Sequence, residues 1–135
     1  MSSPSVEFQT AIYERLKAHA GVQALVAGRV YDNVPDARTF PYVSFGASDY
    51  YEDDADCITG RVETLVIDCW VRAQGKKRPA RELADAVKSA LHLHAPELPT
   101  HGLVEMRVIA VRVIGDPDGI TTHGIVEVQA MIEEN

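Results

Sequence analysis

The chain has 135 residues and a formal charge of −7, a size that fits one domain spanning 1–135 and can bury about two-thirds of its unfolded surface without metals or disulfides. The acidic balance argues against a dedicated nucleic-acid binder, which needs a basic face to neutralise phosphates. No apolar run approaches the roughly 20 residues of a membrane span, no secretory leader is expected, and Cys57 and Cys69, in unlike contexts, read as free thiols of a soluble protein made in the cytoplasm.

Ser3-Pro4 has the form of an N-cap followed by proline at the first helical position. The spacing of Phe8, Ile12 and Leu16 then predicts a helix from Pro4 to about Ala20, stopped by Gly21. Val22 to Ala27 adds one short helical turn ended by Gly28, and Val30 to Pro41 reads as extended backbone with turns, because Pro35 and Pro41 prevent continuous pairing. Tyr42 and Val43 open a strand that runs to Gly46. The run Asp49 to Gly60, with Asp49, Glu52, Asp53, Asp54 and Asp56, is too crowded with carboxylates for a core and is expected as an exposed loop joining two antiparallel strands. Calcium is the sharper alternative, but the run lacks the spacing of an EF-hand.

Arg61 to Ala73 is the strand around which the rest is expected to fold. Leu65, Ile67, Cys69 and Val71 share one face, Val62, Thr64, Val66, Asp68 and Trp70 the other, and since both are largely apolar the strand is expected to be covered on both sides. Trp70, the only tryptophan, is accordingly assigned to the core, and its loss is expected to damage the fold most. Arg72, Lys76, Lys77, Arg78 and Arg81 then gather around Pro79, which opens a helix whose buried face is Leu83, Val87, Ala90, Leu91 and His94. These cations sit at the end of a helix where the macrodipole favours anions, a local penalty that hints at an outside partner. Leu103 to Ile114 and Ile120 to Ile132 form a long hairpin about the turn Gly115-Asp116-Pro117-Asp118-Gly119. The order gives an α+β fold: a mainly antiparallel sheet of about four strands with two main helices packed on it.

Convergent chemistry is scarce. His92 and His94 are two apart on a helix and cannot chelate as an i, i+4 pair would, His101 and His123 lie in separate segments, and neither cysteine forms C-x-x-C. Asp68, inside a strand beside Trp70, is the one odd carboxylate, and an ion pair with Arg72 or Arg107 is its expected explanation. No cofactor and no metal site is expected.

Several short elements in fixed order carry a resemblance: Leu16 in the first helix, Arg29-Val30-Tyr31-Asp32 before Pro35, Phe40-Pro41-Tyr42-Val43, the strand ending Asp68-Cys69-Trp70, Ala90-Leu91-His92, and Asp118-Gly119 with His123-Gly124. Together they resemble the DUF3168 family of tail-completion proteins of tailed phages and prophages, with a run at 49–60 more acidic than the family pattern. The resemblance implies a structural virion protein and no enzyme. It would be a tail terminator, also found in gene transfer agents, that forms a hexameric ring on the head-proximal end of the tail tube, stops tail polymerisation and joins the tail to the head connector or stopper protein. DNA would pass through the lumen without specific binding. The acidic residues 49, 52, 53, 54 and 56 are then expected to face Arg72, Lys76, Lys77, Arg78 or Arg81 of the next subunit or of a tail or connector protein. The competing readings are a small α+β ligand-binding or regulatory domain and an enzyme using Asp68 with a histidine.

Overall fold

A computed structural model describes residues 2–135. Helix α1 (Pro4–Ala18) begins where the Ser3 hydroxyl accepts the Val6 N–H, with Pro4 in the first turn. It ends at His19, two residues earlier than the glycine suggested, because His19 takes an extended conformation that closes α1 and also caps α2 (Ala20–Val26), its Nδ1 accepting the Val22 N–H. Gly21 therefore lies inside α2 and stops nothing. Ala27 in the left-handed region and Gly28 (φ +84°) turn the chain into β1 (Val30–Tyr31).

That two-residue strand was not expected. Val30 and Tyr31 pair in parallel with Val43 and Ser44, so the prolines interrupt only the loop between them. The other strands are β2 (Tyr42–Glu52), β3 (Gly60–Arg72), β4 (Gly102–Gly115) and β5 (Thr121–Glu133), with α3 (Arg78–Leu91) between β3 and β4. The sheet has five strands in the order β1-β2-β3-β5-β4, antiparallel except for β1. The α+β class stands, with five strands in place of about four; the two main helices are α1 and α3, and the short helical turn between α1 and β1 is α2.

The helices cover one face. Leu65, Ile67, Cys69 and Val71 of β3 and Val126, Val128, Ala130 and Ile132 of β5 are buried against Phe8, Ile12 and Leu16 of α1 and Leu83, Val87 and Leu91 of α3. Val43 joins this cluster from β2, and Tyr42 is buried beside the rings of Tyr31 and Phe40. The helices leave the other face open: Thr64, Val66, Asp68 and Trp70 are half-buried there, while Val62 and Ser44 are buried, so β3 is central but packed by helices on one side alone. Trp70 is thus corrected from core residue to open-face residue. Its apolar neighbours made it look interior, but they are neighbours along a sheet face that the chain leaves open. His94 is corrected too, since α3 ends at Leu91 and His94 lies beyond it, outside the helix's buried face.

Candidate assembly surfaces

The charged residues singled out in the sequence fall at two ends of the molecule. Asp49 and Glu52 lie in β2, which continues six residues past Gly46 by pairing Asp49 with Thr64 and Glu52 with Arg61. The expected loop from 49 to 60 is therefore shorter, running over residues 53–59. Crowded carboxylates did not prevent a strand because alternate side chains diverge to opposite faces and this end of β2 is an edge of the sheet, open to solvent. Asp53, Asp54 and Asp56 are exposed in that loop, with Asp54 Oδ1 accepting the Gly60 N–H at 3.0 Å. No group of three or more potential metal-ligating side chains occurs among the described residues.

Arg72 ends β3, Lys76 and Lys77 follow in the turn, and Arg78 and Arg81 are in the first turn of α3, all five exposed. β3 has 13 residues, so at about 3.3 Å per residue the acidic hairpin tip and the basic turn are about 40 Å apart. Within one subunit the two groups do not meet. Arg72 is the ordered member: its Nε donates to Thr121 Oγ1 at 2.9 Å, its guanidinium lies 4.5 Å from the Phe40 ring centroid, and Asp118 Oδ2 is 3.8 Å away. Asp118 is held below the usual carboxylate range by hydrogen bonds from the Thr121 hydroxyl and N–H, assisted by the Ile120 N–H and Arg72. The turn itself depends on Gly75, whose φ is +79° and where a Cβ would lie 2.6 Å from the Gly119 carbonyl. Lys77 caps α3 without a side-chain hydrogen bond, and Arg78 pairs only with exposed Glu82, leaving Lys76, Lys77 and Arg81 with no ion-pair partner among the described residues.

The open face holds the one arrangement that looks chemical. β3 and β5 place Trp70 directly opposite His123. The imidazole stacks on the indole at 3.8 Å between centroids and 10° between planes, and its Nε2 is 2.6 Å from Asp68 Oδ1. Asp68 is therefore partnered by His123, not by Arg72 or Arg107. Arg72 is engaged by Thr121, and Arg107 by Glu105 at 3.6 Å on β4. Sequence could not pair them because 55 residues separate Asp68 from His123. His123 makes no side-chain hydrogen bond to a hydroxyl or thiol among the described residues. The Cys69 thiol is on the opposite, buried face, where burial pushes its pKa far up.

A second buried polar group went unseen in the sequence. Arg61, on the helix side of β3, bonds Glu134 at 2.7 Å and Glu63 at 3.3 Å, while Ser5 Oγ donates to Glu63 at 2.9 Å. The same guanidinium lies 3.7 Å from the Tyr50 ring centroid. The alternation Arg61-Glu63-Leu65-Ile67 on one face was the available signal, since charges continuing an apolar face require partners.

Taken together, the surfaces are those of an assembly subunit: a sheet covered by helices on one face, with two oppositely charged ends. The chain belongs to the family described as Tail completion protein gp17, whose model matches residues 10–133. It is a structural component of the tail of a phage virion or gene transfer agent particle and not an enzyme. A chain in the structure "Virion of native gene transfer agent (GTA) particle" is 26% identical, with a TM-score of 0.89 over 98% of this chain and 99% of that one. The fold is also that of the bacteriophage SPP1 gp17 protein, at 21% identity and a TM-score of 0.60 over 97% of this chain and 91% of that one. No curated protein matches in sequence. Among the described residues no helix is long and apolar enough to cross a membrane.

Proposed function

We propose that this subunit is a tail terminator: copies of it, six in number, close a ring at the head-proximal end of the tail tube, stop tail polymerisation and join the tail to the head connector or stopper protein. The observation that carries this reading is the separation of acidic tip and basic turn by the length of β3. Subunits set side by side in one orientation present an acidic rim and a basic rim, which suits a piece placed between two unlike partners. Exposed charge pairs contribute only about 0–1 kcal/mol each, so they set orientation while apolar contacts supply affinity. A ring of six at −7 apiece carries −42 (6 × −7), and wherever that charge lines the lumen it keeps passing DNA from adhering.

Two experiments bear on it. Particles lacking the protein should show tails of uncontrolled length with no attached heads, and electron microscopy of complete particles should place a ring of this subunit at the head-proximal end; density for it elsewhere defeats the reading. Reversing Lys76, Lys77 and Arg78 to glutamate should abolish joining while the purified subunit unfolds as wild type does. Normal joining by that variant would remove the basic turn from the account.

A further inference from the structure

We propose that neighbouring copies of this chain join edge to edge, the free part of β2 in one subunit pairing antiparallel with the free part of β4 in the next; this rests on the ring reading above and specifies its interface. On one side of the sheet β1 covers only Val43 and Ser44, so beyond the bulge at Phe45/Ser48 residues 47–52 of β2 have no outer partner among the described residues. On the other side β4 is the last strand. Its middle is closed, because the Leu93 N–H bonds the Met106 carbonyl at 2.9 Å and the Val108 N–H bonds His92 Nδ1 at 3.0 Å. Beyond the bulge at Val108/Ala110, residues 109–115 have no such cover among the described residues.

Both free stretches expose apolar side chains that edge strands usually avoid: Tyr50 at 53% and Tyr51 at 60% on β2, Ile109 at 46% and Ile114 at 45% on β4. Their charges are opposite, Asp49 and Glu52 on one and Arg112 alone on the other. Their directions also agree. β2 opposes β3, β3 opposes β5 and β5 opposes β4, so β4 runs against β2, and a neighbour in the same orientation offers an antiparallel partner. The faces match as well: Asp49 (opposite Thr64) and Arg112 (opposite Ile125) lie on the open face, while Tyr50 and Val111 lie on the helix face. A register that sets Tyr50 across from Val111 therefore sets Asp49 across from Arg112. Arg61 already holds the Tyr50 ring in place. Because Tyr50 is level with Glu63 of β3 and Val111, through Val126, with Ile67, joining them offsets neighbours by four residues, about 13 Å along the strands, a stagger that a closed ring accommodates by tilting its strands.

The test uses particles carrying the full-length chain with Cys57→Ser, leaving only buried Cys69. Adding Tyr50→Cys and Val111→Cys and oxidising should give a denaturing-gel ladder ending at the closed ring, with no ladder from either cysteine alone. Asp49→Arg or Arg112→Asp should each lower particle yield about tenfold or more by placing like charges together, and the double exchange should restore it. Unfolding of the purified variants reports whether the subunit still folds. Rings seen by microscopy without the ladder and without charge rescue would overturn edge pairing and leave the ring reading standing. Absence of any ring would overturn both, and a disulfide to a different protein would overturn the second copy as occupant.

Discussion

Replacing Arg61 with methionine tests the buried polar group most directly. The Arg61 and Glu63 side chains are 9% and 3% exposed, so removing the cation leaves the Glu63 carboxylate in the interior with only the Ser5 hydroxyl to bond it. Burial alone would push the Arg61 pKa down, but Glu134 and Glu63 hold it above its ordinary value. Breaking such a pair from one side costs about 3–5 kcal/mol, chiefly through the charge left behind, and the lost contact with the Tyr50 ring adds about 0.5–2 kcal/mol. Glu134, 24% exposed, can be rehydrated and should add little. In urea unfolding, Arg61→Met should lower the midpoint with an unchanged slope. Adding Glu63→Leu should return stability to within about 2 kcal/mol of wild type, since an apolar pair of similar volume leaves no buried charge and only the Tyr50 contact stays lost. A loss below about 1 kcal/mol for the single variant, or a double variant as unstable as the single, would refute the reasoning.

Other consequences follow from burial and backbone. Ile67→Ala empties a fully buried site under the helices and should cost about 2–5 kcal/mol. Trp70→Ala on the half-buried face should cost less in the same denaturant series, and the reverse order would contradict the one-sided sheet. Gly75→Ala, at φ +79° and against the Gly119 carbonyl, should lose about 1–3 kcal/mol, read as a lower Tm; an unchanged Tm would mean the turn adjusts freely. Glu7 and Asp118 both titrate below their ordinary values: burial would raise Glu7, but hydrogen bonds from the Thr100 hydroxyl and N–H lower it further, and Thr121 lowers Asp118. A depressed carboxylate contributes stability that is full above the unfolded value of about 4 and lost as pH falls through the folded value. Glu7→Gln should therefore flatten the fall in unfolding midpoint as pH drops below about 4, and an identical slope in wild type and variant would exclude Glu7.

Legibility followed the range of the interactions. The helices at Pro4 and Pro79, the central strand and the final hairpin were readable because capping residues, prolines and residue periodicity act over a few positions. The core residues of α1 and α3 were readable for the same reason. What failed was decided at a distance. β1 exists because Val43 and Ser44 return beside Val30 and Tyr31, and β2 extends through its carboxylates because β3 supplies a partner for each of residues 48–52. Trp70 was misplaced because alternation reports which residues share a face, not whether that face is covered. Of the surfaces, the two charged ends were visible as composition, whereas their separation by a strand length was not.

The sequence by itself determined an α+β subunit, through local periodicity, caps and prolines. Only the tertiary structure decided which face of the sheet stays open, that Asp68 meets His123, that Arg61 is buried with Glu63 and Glu134, and which stretches of β2 and β4 lack partners. These are pairings between segments far apart in the chain. Their free energy depends on what else is packed beside them, and no local pattern of residues encodes that.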